Sequence, residues 1–308
     1  MNVVKVVPRG YCYGVVDAVQ IARRLASDPG VPRPIHVLGA IVHNRHVVAE
    51  LAALGVHTLE REGATRMALL ASMPRDGGTV VFTAHGIAPD VRARAAELGF
   101  HVVDASCPEV QRTHAVIRHL AAMGADIVFI GRRGHPEPEG AMGEAPGHVH
   151  LVERAADLDR LSFAPAQRVA VVTQTTLSVW DTAALIDEVK RRWPHVEVHN
   201  EICRATEERQ EAAVEAARKA DLVIVVGDAR SNNTGRLVEV VRAQAGKPAY
   251  RVDCVQEIDP VWLAGHQTVA VTAGSSTPSD RTREVIRYLE AWPGASASAG
   301  SSLRRARA

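Results

Sequence analysis

Ile127-Val-Phe-Ile-Gly131-Arg-Arg-Gly-His135-Pro-Glu137 is the stretch that decides the fold. A short apolar run closed by glycine reads as a strand, and the polar residues after it read as a loop at the strand's C-terminal end. Upstream, Cys107-Pro-Glu-Val begins a helix, with Pro108 at the first helical position, where its missing N–H costs nothing. Downstream come a second strand, His150-Leu-Val-Glu153, and a third, Val169-Ala-Val-Val-Thr173. The third opens the loop Gln174-Thr175-Thr176, and a further helix starts near Val179-Trp-Asp181 with Asp in its first turn.

The same order stands on either side. Before it are Cys12-Tyr-Gly-Val-Val, His36-Val-Leu-Gly39, His43-Asn44, His57-Thr-Leu-Glu60, Val80-Val-Phe-Thr83, Ala84-His85-Gly86 and Ala88-Pro-Asp90. After it are Cys203-Arg-Ala-Thr, Leu222-Val-Ile-Val-Val-Gly227, Ser231-Asn-Asn233, Tyr250-Arg-Val-Asp253, Val269-Ala-Val-Thr272, the loop ending at Ser275-Ser276, and Pro278-Ser-Asp280. Short apolar runs at Val3–Val7, His101–Val103 and Val196–Val198 lead into the three cysteines. A period of about 90–100 residues is too long for a solenoid, so it predicts a triplicated domain. Strands alternating with helices predict a mainly parallel sheet in each unit. The expected fold is α/β, with three pseudo-threefold-related domains. Expected units are 1–100 with Cys12, 101–195 with Cys107 and 196–292 with Cys203. The strand at 1–9 is free to pair with the third unit, and 293–308, rich in Ala, Ser and Arg, reads as a disordered tail.

Bulk composition narrows the function classes. The net charge of +1 gives no electrostatic case for nucleic acid or a membrane surface. The longest apolar runs, such as Leu222 to Val226, are far too short to span a bilayer. The N-terminus runs straight into a strand-like segment without a signal-peptide pattern, and four cysteines in so long a chain do not suggest disulfides. A reducing cytoplasm is expected.

Loops beyond strand C-termini are where such sheets place their chemistry. Three thiols at helix starts suggest a metal site, since the helix dipole favours thiolate. Structural zinc sites usually use close pairs such as C-x-x-C, absent here. Cubane iron–sulfur clusters normally take four thiolates, so three would leave one iron open to substrate. His43, His85, Ser231, Asn232, Asn233, Ser275 and Ser276 offer hydrogen-bond donors at helix starts, where free N–H groups bind phosphate. Histidine beside phosphate is expected to be protonated. His135 and Glu137 put an imidazole and a carboxylate in one loop, a pair able to relay protons. No Walker loop is present to hold a nucleoside triphosphate. Each residue alone has a plainer reading: a buried thiol, a turn, a helix cap. Cys254 falls outside the pattern and reads as structural, as do His57, His101, His114 and His150.

The segments Pro8-Arg-Gly-Tyr-Cys12-Tyr-Gly, Ile41-Val-His43-Asn, Ala84-His85-Gly, Asp104-Ala-Ser-Cys107-Pro, Gly134-His135-Pro-Glu137, Thr173-Gln-Thr175-Thr-Leu-Ser178, Ser231-Asn-Asn233 and Thr272-Ala-Gly-Ser-Ser276 occur in order. Together they resemble the 4-hydroxy-3-methylbut-2-enyl diphosphate reductase family, over roughly residues 1 to 290. The resemblance implies one [4Fe–4S] cluster at the centre of a three-domain trefoil, with Cys12, Cys107 and Cys203 as ligands and an open iron. It implies reductive loss of the substrate hydroxyl to give isopentenyl and dimethylallyl diphosphate, the last step of the methylerythritol phosphate route. Glu137 would deliver the proton with His135 nearby, and Thr175 would bond the hydroxyl. His43, His85, His135, Ser231, Asn232, Asn233 and Ser276 would hold the diphosphate, and a ferredoxin or flavodoxin would supply electrons. The family often has Ser-Ser-Asn at Ser231-Asn232-Asn233. Ser276 stands two residues past the slot that matches His85 and Thr175; the internal repeat picks Gly274. Two competing readings are an open-cluster hydro-lyase with Arg132, Arg133 and Arg230 clamping carboxylates, and a non-catalytic iron–sulfur sensor.

Overall fold

The computed structural model describes residues 1–74 and 77–293, so all but the first residue of the expected tail lies outside the described residues. The strands are β1 (Asn2–Lys5), β2 (Ile35–Leu38), β3 (Val56–Leu59), β4 (Thr79–Phe82), β5 (His101–Asp104), β6 (Asp126–Ile130), β7 (Val149–Val152), β8 (Val169–Thr173), β9 (Glu197–His199), β10 (Leu222–Val226), β11 (Ala249–Val252) and β12 (Thr268–Ala273). The helices are α1 (Tyr13–Ser27), α2 (Arg45–Ala53), α3 (Arg66–Ala71), α4 (Pro89–Glu97), α5 (Pro108–Ala122), α6 (Pro136–Glu144), α7 (Val179–Arg192), α8 (Arg204–Arg218), α9 (Asn232–Val240), α10 (Pro260–Leu263) and α11 (Ser279–Glu290).

The strands form three four-stranded sheets, in the orders β3-β2-β4-β5, β7-β6-β8-β9 and β11-β10-β12-β1. Every strand pair among the described residues is parallel. The fold is therefore α/β with three sheets. Two compact units divide the chain: residues 12–206 hold the first two sheets, and residues 1–11 with those from 207 onward hold the third.

The strand that leads into each cysteine closes the sheet that the preceding unit began. His101 pairs with Thr79 and Asp104 with Phe82, so β5 belongs to the first sheet. Glu197 pairs with Ala170, so β9 belongs to the second. Asn2 pairs with Thr268, so β1 belongs to the third, as the sequence allowed. The sheets thus end later in the chain than boundaries at 100/101 and 195/196 imply. The reason is backbone pairing: an edge strand goes to whichever sheet offers a free row of N–H and C=O groups in register.

Parallel strands covered on both faces need apolar side chains in both directions. β10 is the plainest case. Leu222, Ile224 and Val226 share one core with Val285, Ile286 and Leu289 of α11. Val223 and Val225 point the other way, into a core with Ala213, Ala217 and Leu237. Each such side chain contributes roughly 1.5–3 kcal/mol on burial. The expected helix starts hold to within a residue. Asn44 caps α2 by accepting from His46 and Val47 N–H, and Ser178 caps α7 by accepting from Asp181 N–H. No helix of the described residues is long and apolar enough to cross a membrane.

Candidate active site

Within the unit of residues 12–206, the loops of two sheets bring together three kinds of group. The first is the thiols. Cys12 and Cys107 occupy the N-cap positions of α1 and α5, and Cys203 immediately precedes α8. Cys107 N–H donates to Ala84 C=O at 3.0 Å, and Cys203 N–H donates to Thr175 C=O at 3.0 Å. Cys107 and Cys203 are thereby tied by their backbones to the loops after β4 and β8. A Cβ on Gly14 would fall 2.4 Å from Cys107 Sγ, so the chain after Cys12 packs directly on Cys107, and only glycine permits it.

Burial pushes the Cys107 thiol up to about 12, against the pull of the Glu109 and Val110 amides, and the neighbouring Cys12 and Cys203 push it further. Cys203 is also raised, by burial first, with the Thr206 hydroxyl at 3.2 Å opposing. The expected dipole-lowered thiolates are therefore overturned for these two. Three partly buried sulfurs, none in a disulfide, repel one another as anions and need a cation to ionise. That donor set fits an iron–sulfur centre.

The second group is His43, His85 and His135. Their ring centroids lie 4.3, 5.2 and 5.3 Å apart, and their ligand atoms all fall within 4.8 Å of one another. A metal ion would fit that spacing, but the hydrogen bonds favour an anion. Glu137 N–H donates to His135 Nδ1 at 3.2 Å, so the neutral ring carries its proton on Nε2 and presents a donor. Gln174 Nε2 donates to the same nitrogen at 3.2 Å, while its Oε1 accepts from Arg132 N–H at 2.8 Å. Burial first, then the mutual repulsion of the rings and the charge of Arg66, hold His85 well below the ordinary imidazole range. His135 is lowered by burial, His43, Arg132 and Arg66. Protonated histidines, expected beside phosphate, are not what the protein alone favours.

The third group is Glu137 with Thr175. Glu137 is 2% exposed, on the first turn of α6, which has His135 as N-cap and Pro136 in its first turn. Its Oε1 accepts from Thr175 N–H at 2.7 Å. Burial raises its carboxyl to about 7, against the stabilising bonds from Thr175 and the charge of His114.

The other unit carries the remaining predicted residues. Ser231 caps α9 by accepting from Thr234 N–H, and Asn232 and Asn233 are buried in its first turn. Asn233 Oδ1 accepts from Ser275 N–H at 2.9 Å, and Ser276 Oγ donates to Ser231 Oγ at 3.4 Å. A side chain on Gly274, the slot that the internal repeat picks, would run into Thr234 Oγ1.

Gln174 is the residue that sequence reasoning missed. It is fully buried, and a buried amide between threonines at a strand end was the available signal. Of the arginines that a carboxylate clamp would need, Arg133 faces Asp157 at 3.8 Å and Arg230 faces Asp228 at 3.4 Å. Cys254 caps a short 3-10 turn after β11, away from the predicted pattern.

A three-sheet α/β fold, thiols massed at helix starts and a buried acid among imidazoles define an iron–sulfur enzyme. The model of the LytB protein family matches residues 3–290, and the chain belongs to that family. The 4-hydroxy-3-methylbut-2-enyl diphosphate reductase of Symbiobacterium thermophilum is 60% identical, covering 94% of this chain and 97% of the relative. That of Geobacillus kaustophilus is 53% identical, covering 94% and 90%. The solved structure of the E-1-hydroxy-2-methyl-but-2-enyl-4-diphosphate reductase from Plasmodium falciparum is similar at 32% identity and a TM-score of 0.88, covering 96% of this chain and 89% of that one.

Proposed function

We propose that this chain reductively removes the hydroxyl of (E)-4-hydroxy-3-methylbut-2-enyl diphosphate, giving isopentenyl and dimethylallyl diphosphate in the last step of the methylerythritol phosphate pathway. Two electrons and two protons enter, and water leaves. The observation that carries this reading is Glu137. A carboxyl buried to 2% exposure, raised to about 7 and fixed by the Thr175 amide at 2.7 Å is a proton donor at neutral pH.

Cys12, Cys107 and Cys203 would hold one [4Fe–4S] cluster with an open iron, which supplies electrons and a Lewis acid for the departing hydroxyl. Thr175 bonds that hydroxyl and keeps Glu137 in place. His43, His85 and His135 donate to phosphate oxygens, and binding there draws protons onto them. Ser231, Asn232, Asn233 and Ser276 have donor chemistry suited to phosphate. Remote binding energy from the diphosphate orients the reacting carbon. A ferredoxin or flavodoxin in the cytoplasm is the electron donor.

Anaerobic oxidation of reduced methyl viologen by the reconstituted protein tests the reading. Dye oxidation should depend on the hydroxylated diphosphate and vanish, together with the cluster's visible absorption, in Cys107→Ser. A fully loaded protein that leaves the dye reduced would overturn it.

A further inference from the structure

A groove of about 460 Å³ opens beside α4, α5 and α6, inside the unit of residues 12–206, and nothing in the proposed reaction uses it. Its lining includes His114, Arg118 and Glu144, with Arg92 and Asp104 as the other charged groups. Glu144 joins the first two. One carboxylate oxygen lies 2.7 Å from His114 Nδ1, and the other accepts from Arg118 Nη1 at 2.7 Å. Arg118 is 54% exposed, whereas the Glu144 and His114 side chains are 4% and 7% exposed. A hydrogen-bonded line therefore runs from solvent inward to an imidazole, one that the sequence alone marks as structural.

The far side of that ring faces the catalytic loops. Nε2 of His114 is buried and has no hydrogen-bond partner. A Cβ on Gly86, the residue after His85, would lie 3.0 Å from it, and a Cβ on Gly140 would lie 3.3 Å from it. The ring thus fills a slot that side chains at both positions would crowd. Gly140 comes three residues after Glu137 on α6, so the two share a helix face, and side chains on a helix lean toward its N-terminus. Nε2 looks onto the bare part of that face, one turn along α6 from Glu137 and without a hydrogen bond to it, and the ring acts on the acid electrostatically. A carboxyl so buried needs a route by which the proton that it gives up in each turnover is replaced.

We propose that His114, held by Glu144, is the proton-uptake path that reloads Glu137 from the α5–α6 groove between turnovers. One proton moves. Nδ1 of His114 takes up a proton from the groove by way of the Glu144 carboxylate as the Nε2 proton leaves through a bridging water for the Glu137 carboxylate, and a half-turn of the ring resets the path. No heavy-atom bond or electron changes place. Glu137 touches the substrate in this scheme; His114 acts through it.

The inference rests on Glu137 as proton donor, and the test separates the two. Cluster-loaded His114→Gln, Glu144→Gln and Glu137→Gln are mixed anaerobically with substrate and reduced viologen, and product is followed through the first and later turnovers. In His114→Gln the first turnover should keep its rate, because Glu137 starts protonated. Later turnovers should slow about tenfold or more, leaving a burst of one product per site, and added imidazole should restore them. Glu144→Gln should show a weaker form of the same burst, and it decides the matter if His114→Gln fails to hold its cluster. Equal slowing of first and later turnovers, or an unaltered steady state, would overturn the path. A normal first turnover in Glu137→Gln would overturn the donor reading itself, whatever His114→Gln does.

Discussion

The starts of α6 and α9 are the same device with different chemistry. Each follows the C-terminal end of a central strand, each opens with a side-chain cap, and each buries its first turn. At α6 the cap is His135 and the second helical residue is an acid; at α9 the cap is Ser231 and two amides follow. The α6 start fixes a tautomer, because an amide N–H occupies Nδ1 and the ring must donate from Nε2. It also holds a proton, because Glu137 sits where ionisation is costly. The α9 start fixes only donors. The backbone supplies a place for an anion at both, and the side chains decide whether that place also handles protons.

Substitutions at the two starts should separate these roles. Glu137→Gln should lower kcat by about 10²–10⁴-fold, the range for loss of a general acid, with KM and cluster absorption little changed. A comparable loss in KM instead would make α6 a binding site like α9. The pH dependence of stability is the next effect in size. The folded-state carboxyl is raised from 4.5 to about 7, worth roughly 3 kcal/mol at most. Glu137 contributes that stability fully below its unfolded value and loses it as pH rises through about 7. Urea unfolding of the cluster-free protein should therefore show wild type losing ground to Glu137→Gln across that window, and parallel curves would show an ionised acid. Ser231→Ala should have the smallest effect, about 0.5–2 kcal/mol of stability from the lost cap and a few-fold rise in KM, with kcat kept. A kcat loss there as large as that of Glu137→Gln would erase the distinction.

Much of the architecture was legible because central parallel strands cannot hide. Leu222-Val-Ile-Val-Val226 and its counterparts are apolar on both faces, and each ends in a glycine or threonine before its loop. The lead-in strands were harder to assign. Nothing in His101-Val-Val-Asp104 says which sheet will accept it, since that depends on the free edge of β4. Thiols, imidazoles and the acid stood out by type and slot. Their proton affinities did not, because burial, which raised Cys107 and Glu137 and lowered His85 and His135, is a property of packing. Gln174 went without a role and His114 read as structural for a related reason: one amide and one imidazole gain meaning only from what lies against them.

The pairing of β1 with β12 has a consequence for synthesis. Strand β1 leaves the ribosome long before the strand to which it hydrogen-bonds, Asn2 lying 266 residues before Thr268. Gly10 N–H likewise waits for Ala273 C=O, and Tyr11 C=O for the Arg209 guanidinium. At about 5–20 residues per second, the N-terminal segment spends on the order of ten to fifty seconds without its lattice of partners. Because β1 lies at the edge of its sheet, β10, β11 and β12 can assemble first and accept it afterwards. The stretch just ahead of Cys12 is therefore among the last parts of the nascent protein to settle.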